Sequence, residues 1–505
     1  MDTKEKLDRL YQILSRMERL SHCLHVINYD METAAPKGGM EDDGKDSVLL
    51  QGQLFTLQKS DEFISLVRDL HENDLDRLSA YDRKLVHELY KDYKRNEHVD
   101  EKTNEEADTL FSNAYQIWYE AKEKKDYSLF APTLERIYEM QKRLLLLRDD
   151  CDRENLYDTL FSDYEEGFTT KDLDEFFYEL EKEIVPLYKR VRESSYVPRH
   201  DFLSRRVSIA KQEEFTKYLL KYNGFDFNRG SISTTEHPFT DQLGQNDVRV
   251  TTKYIENAFI SNMYSIIHEG GHAIFGQNIP DEVFSSHLGE GSLSMGKHES
   301  VSRFYENIIG RSREYLSGIY PEFHRLFEEE LGDVTLDDLY EGVNYLDFDN
   351  KLRTEADELS YSLHILIRYK LERKIMNGEA DFKTLNLEWN RLYKEILNVD
   401  ILNDQEGILQ DVHWTSGFGY FPTYSLGNAL NCIYVKRLDS ELDLGKTLSE
   451  GRMDMILAWM KENVFKKAPL LNTKDWIRDI TGEEFSAKAY TDYLKKKYEA
   501  LYHLN

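Results

Sequence analysis

The run Ile266-Ile267-His268-Glu269-Gly270-Gly271-His272-Ala273-Ile274-Phe275 sets two imidazoles and a carboxylate inside an apolar segment. Phe259 and Met263 extend the apolar positions upstream at helical spacing, so residues 257–277 are predicted to form a buried helix. At 3.6 residues per turn, His268 and His272 lie one turn apart on one face and can reach a single ion, while Glu269 projects about 100° from His268. This is the HExxH spacing of a zinc hydrolase, with the glutamate beside the metal as a base rather than bound to it. Burying a carboxylate without a partner costs roughly several kcal/mol, and a metal ion is a partner that offsets the cost. Taken alone, the segment also admits two hydrogen-bonded core histidines and a glutamate on the helix surface.

A catalytic zinc takes three protein ligands and leaves its fourth position to water. The third candidate is Glu299, 27 residues beyond His272 in Ser294-Met295-Gly296-Lys297-His298-Glu299-Ser300-Val301-Ser302-Arg303-Phe304-Tyr305-Glu306-Asn307. Pro280, Gly289, Gly291 and Gly296 mark the intervening stretch as turns and loop, long enough for the chain to return as an antiparallel neighbour. His298 competes on spacing, but the adjacent residue of a helix points elsewhere, so Glu299 is preferred. The alternative is that Glu299, Arg303 and Glu306 form an ion-paired helical face.

Helical periodicity recurs over residues 7–26, 104–125, 131–147, 171–196, 336–345 and 453–464, as in Leu134, Ile137, Tyr138, Met140, Leu144 and Leu145. An all-α fold is predicted, with at most a small extended or hairpin segment at 231–252, where β-branched residues interrupt the pattern. The 505 residues contain no Ser/Gly-rich linker or low-complexity run, so 1–505 is read as one domain. The net charge of −29 disfavours nucleic acid and anionic membranes as partners. No stretch approaches the roughly 20 apolar residues of a membrane span, and the N-terminus is charged with no apolar leader, so a cytoplasmic location is expected. Cys23, Cys151 and Cys432 are too few and scattered for a disulfide framework and read as reduced core residues.

Further motifs accompany HEGGH and His298-Glu299-Ser300. In chain order they are His237-Pro238-Phe239, Asp247-Val248-Arg249-Val250-Thr251, Leu352-Arg353-Thr354-Glu355-Ala356-Asp357 and Gly407-Ile408-Leu409-Gln410-Asp411-Val412-His413-Trp414. Gly417-Phe418-Gly419-Tyr420-Phe421-Pro422-Thr423-Tyr424 follows. Together these resemble the thermostable metallocarboxypeptidases, the carboxypeptidase Taq or M32 family, with signatures HPF, DxRxT, HExxH, HES, IRxxAD and GxxQDxHW. The sequence departs from the family at Leu352 for isoleucine, Val301 for glutamine and Tyr29 for tryptophan, none of them a ligand or base position.

The resemblance implies a saddle-like helical body split by a deep cleft, with N-terminal helices (about 1–110) as a lid. It implies His268, His272 and Glu299 as ligands of one Zn²⁺ per chain, with Co²⁺ also accepted, and Glu269 as the residue that activates water. It further implies a homodimer acting on peptides with a free C-terminus. Gripping that carboxylate calls for a fixed arginine: Arg353 first and Arg249 second, unless each is paired to a local acid such as Asp357 or Asp247. Tyr420, Tyr424, His413 and His237 are the candidate donors to the carbonyl oxygen in the transition state. Two rival readings stay open: a zinc oligopeptidase or dipeptidase with the same motif, and a helical binding protein with a relic site.

Overall fold

In the computed structural model, which describes residues 1–289 and 293–504, helices dominate. Gly291 of the expected loop lies outside the described residues. The first helix, α1 (Thr3–Thr33), starts at a capping box between Asp2 and Glu5. It packs on α2 (Met40–Gln58) and α3 (Asp61–Asp69), and α3 packs on α4 (Ala80–Asn96). Then come α5 (Glu101–Lys124), α6 (Ala131–Leu146), α7 (Leu156–Phe161), α8 (Thr170–Arg192) and α9 (Ile209–Asn223). The expected helix at 171–196 ends at Arg192, where Ser194 takes the Tyr196 amide in a turn.

A small sheet interrupts the helices in the stretch where β-branched residues break the periodicity. Its strands are β1 (Ile232–Thr234), β2 (Thr240–Gly244) and β3 (Asp247–Thr252), in the order β1-β3-β2. β2 and β3 form an antiparallel hairpin, with Thr240 opposite Val250, and β1 joins β3 in parallel. Val248 and Val250 are fully buried, and β3 lies against α10 (Phe259–Gln277).

The chain continues through α11 (Asp281–Ser285), α12 (Met295–Arg303), α13 (Arg313–Leu331), α14 (Leu336–Val343), α15 (Glu358–Met376), α16 (Leu385–Leu397) and α17 (Pro422–Leu442). It closes with α18 (Leu444–Ser449), α19 (Met453–Met460), α20 (Thr473–Thr481) and α21 (Lys488–Leu501). Helices α10, α12, α15 and α17 are buried around most of their circumference and form the centre.

Helix α12 lies between α10 and α17, and glycines set both spacings. A methyl group on Gly271 of α10 would stand 2.8 Å from the Cα of Ser302, and one on Gly427 of α17 would stand 2.8 Å from the Cβ of Glu299. Real Cβ atoms do not come so close, so these two glycines let neighbouring helices approach α12 backbone to backbone. Of the cysteines, only Cys432 is in the core; Cys151 is half-buried and Cys23 is exposed on α1.

Candidate active site

The two histidines of α10 are half-buried at the floor of a cavity of about 1520 Å³. Elements far apart in sequence line it: α1, α4, the turn after α7, β2, α10, α12 and the start of α17. Glu299 comes from α12, which Ser294 caps by accepting the Lys297 amide. Glu299 Oε2 lies 3.8 Å from His268 Nε2 and 3.7 Å from His272 Nε2. Ligands of a tetrahedral ion with bonds of about 2.0–2.1 Å lie about 3.4 Å apart, so the three donors fit a divalent metal.

The outward nitrogens of both imidazoles are engaged. His268 Nδ1 is 2.8 Å from Glu306 Oε2, and His272 Nδ1 is 3.2 Å from His298 Nδ1. Each ring is thereby turned so that Nε2 faces Glu299, the arrangement outer-shell partners impose on metal-binding histidines. His298, the competitor on spacing, stands behind His272.

The ion-paired face is real as well, and it coexists with this geometry. Arg303 Nε donates to Glu299 Oε1 at 2.7 Å and Arg303 Nη1 to Glu306 at 3.0 Å, while Glu299 Oε2, which also takes a long 3.4 Å contact from the Ser302 hydroxyl, faces the histidines. Burial opposes charge on His268, but Glu299 and Glu306 outweigh it and hold its pKa above the ordinary value. Burial drives His272 well below its ordinary value, with the neighbouring histidines adding to the effect. Burial would raise Glu306, but Arg303 and His268 hold it well below the usual carboxylate range.

Glu269 is 9% exposed, and its Oε2 accepts the Thr240 hydroxyl at 2.7 Å. Burial raises its pKa, against the opposing pull of His268 and Thr240. Thr240 opens β2 directly after His237-Pro238-Phe239, so this loop serves the site through the residue that follows it. His237 itself is exposed and outside the cavity lining, contrary to the expected donor position, because the loop turns its side chain toward solvent.

Tyr420 and Tyr424 line the cavity with their rings nearly perpendicular, centroids 5.2 Å apart. Burial raises both phenol pKa values. His413, also expected at the cleft surface, is not among the lining residues and sits behind both tyrosines. It stacks on Tyr420, and its Nε2 is 3.3 Å from the Tyr424 hydroxyl. Burial lowers its pKa to about 4, so it is neutral at pH 7.

Arg353 too is displaced from the wall. Its Nε donates to Asp411 at 2.9 Å, its Nη1 to the Tyr361 hydroxyl at 3.3 Å, and its plane lies 5.0 Å from the Tyr424 ring. Asp411 also binds Arg368 at 2.6 Å, and the side-chain Oε1 of Gln410 accepts both the Arg353 backbone amide and Arg368 Nη2. Asp357, the acid considered as its partner, instead caps α15. Arg249 is occupied by Asp247 at 2.7 Å and lies 5.0 Å over the Tyr29 ring, so it ties β3 to α1 rather than facing the cavity.

The family model for the carboxypeptidase Taq (M32) metallopeptidases matches residues 9–498. The chain belongs to the M32 carboxypeptidase family. It is 38% identical to carboxypeptidase 1 of Bacillus subtilis, with 97% of this chain and 98% of that protein covered. It superposes on the M32 carboxypeptidase crystal structure from Deinococcus radiodurans with a TM-score of 0.94 at 28% identity, covering 99% of this chain and 100% of that one. The Pyrococcus furiosus carboxypeptidase Apo-Mg structure gives 0.92 at 31% identity, with 98% and 99% covered. This protein is therefore a metallocarboxypeptidase that depends on a divalent ion.

Four contacts around the site were not foreseen from sequence: Glu306 on His268, His298 on His272, Thr240 on Glu269 and Arg368 on Asp411. Glu306 was within reach, since it lies seven residues, about two turns, from Glu299 and so on the same helical face. Thr240 and Arg368 carry no local signal.

Proposed function

We propose that His268, His272 and Glu299 hold one Zn²⁺ and that Glu269 is the general base in hydrolysis of the C-terminal peptide bond. What carries this reading is the convergence of both Nε2 atoms on Glu299 Oε2 while both Nδ1 atoms are turned onto other partners. Two imidazoles and a carboxylate suit Zn²⁺ and also accept Co²⁺. When bound, the ion supplies Lewis acidity, lowering the pKa of water from 15.7 to about 7 and polarising the scissile carbonyl. Glu269, oriented by Thr240, takes the proton released by the attacking water and delivers it to the leaving amine. Tyr420 and Tyr424 keep their protons at neutral pH and donate to the oxygen that gains charge, and His413 holds the Tyr424 hydroxyl.

Substrates are peptides with a free C-terminal carboxylate. Arg353 and Arg368 share the single Asp411, so the trio keeps one net positive charge behind Tyr424, and this charge attracts the carboxylate. No helix among the described residues is long and apolar enough to cross a membrane. A cytoplasmic location and a homodimer complete the reading, the homodimer resting on the family resemblance.

Metal analysis with mass-spectrometric ladder sequencing of one unblocked peptide and its amidated twin tests the function. Stoichiometric zinc and stepwise loss from the free C-terminus are expected. Internal cleavage of the amidated peptide at a similar rate would show an oligopeptidase instead.

A further inference from the structure

Glu165 is fully buried in the turn that follows α7, remote in sequence from every motif residue of the site. Its Oε1 accepts the backbone amide of Gly296, and its Oε2 accepts the Thr473 hydroxyl at 2.7 Å. Thr473 in turn lies 3.0 Å from Ser294, the N-cap of α12. A carboxylate is buried at a cost unless fixed donors satisfy it, and here both oxygens are satisfied.

The donors hold one short helix. In α12, Ser294 binds the third amide and Glu165 binds the second, so two of the orphan amides at this end are taken by side chains. Gly296 is the residue that allows this, since a Cβ there would stand 2.5 Å from Glu165 Oε1. Lys297, almost fully buried, donates to the carbonyls of Ala468 and Leu471 from the same turn. Three residues after Gly296 the helix presents Glu299, so any rotation or slide of its first turn moves the carboxylate that faces His268 and His272.

The residues flanking Glu165 reach the cleft from the other side. Tyr164 stands edge-on to Tyr420 at 5.7 Å, and Glu166 pairs with Lys91 at 3.2 Å and Lys84 at 3.5 Å on α4. The turn is thus braced against both the α4 wall and Tyr420, just ahead of α17, while its middle residue grips α12.

We infer that Glu165 is a positioning residue for the metal site: by fixing the first turn of α12 it sets the place of Glu299 relative to the two histidines. This rests on the assignment of Glu299 as a ligand. The decisive readout is the dissociation constant for Zn²⁺ and Co²⁺, measured by chelator competition on folded metal-free protein, with the Co²⁺ absorption spectrum as a probe of ligand geometry. Glu165→Ala is expected to weaken metal binding about 10–100-fold and alter the spectrum. Glu165→Gln, which keeps an oxygen for Gly296 and an amide for Thr473, is expected to restore most of the affinity. A folded Glu165→Ala protein with wild-type affinity and spectrum overturns the inference, as does a Gln variant no better than Ala. If Glu165→Ala does not fold, Thr473→Val is read in the same assay: weakened binding supports the inference, and unchanged binding overturns it. Glu299→Ala measured alongside separates the two levels, because wild-type affinity there would refute the ligand assignment itself and the role of Glu165 with it.

Discussion

Glu306 holds the outward nitrogen of His268 at 2.8 Å while sharing Arg303 with Glu299, so one arginine ties the carboxylate facing both histidines to the one that orients His268. Glu306→Gln removes the charge but keeps an acceptor of the same shape. Metal affinity is expected to fall about 10–100-fold, toward the smaller figure because the amide oxygen still accepts. Chelator competition measures it, and an unchanged constant would refute the orienting role.

Glu269 is bound by Thr240 and is not one of the three converging donors. Glu269→Gln is therefore expected to retain stoichiometric metal while kcat drops about 10²–10⁴-fold, the usual share of a general base. Full turnover with metal present would exclude Glu269 as the base.

Because Gly271 and Gly427 grip α12 from opposite sides, a single methyl at either position overpacks the centre. Gly427→Ala, whose Cβ meets Glu299 Cβ and Cγ at 2.8 Å, is expected to cost about 1–3 kcal/mol in stability and to weaken metal binding too. Gly271→Ala presses on Ser302 in the same way. Denaturant unfolding and metal titration of both variants check this; wild-type values in both would mean that α12 yields without consequence.

The net positive trio of Arg353, Arg368 and Asp411 predicts a selective kinetic loss. Arg353→Ala is expected to raise KM for peptides ending in a free carboxylate far more than for amidated ones. Equal losses on both would reduce Arg353 to a partner of Asp411.

Glu372 on α15 is buried, accepts the Tyr157 hydroxyl at 2.6 Å and the Gly419 amide at 2.9 Å, and has its pKa pushed up by burial to about 7. Between about pH 4.5 and 7 the folded chain keeps this proton while the unfolded chain has released it, so stability falls as pH rises through that window and levels off above it. Glu372→Gln lacks this loss. Its stability relative to wild type is expected to improve by up to about 3 kcal/mol between pH 5 and pH 8. Denaturant midpoints of the two proteins at both pH values measure the gap, and a gap independent of pH would sink the idea.

The helices most legible in sequence have one wet face. α6 and α8 show apolar stripes at regular spacing, and both were expected nearly in full. α15 and α17 escaped because they are buried nearly all round; polar residues such as Ser360, His364, Arg368 and Glu372 sit among their apolar ones, and no stripe survives. In the site, HExxH was readable because His268, His272 and Glu269 share one helix, where a five-residue spacing dictates their faces. Thr240, Arg368 and Glu165 were unreadable because each acts on a residue tens to hundreds of positions away.

By itself, then, the sequence determined the helical class, the small sheet at the break in periodicity, and that His268 and His272 share one face of α10, since each follows from local spacing. Tertiary structure alone decided which arginines face acids, that His413 and Arg353 stand behind tyrosines, and how closely α12 approaches α10 and α17. Those outcomes depend on packing between distant segments, where a glycine or a buried carboxylate has meaning only through the atoms that other parts of the chain bring against it.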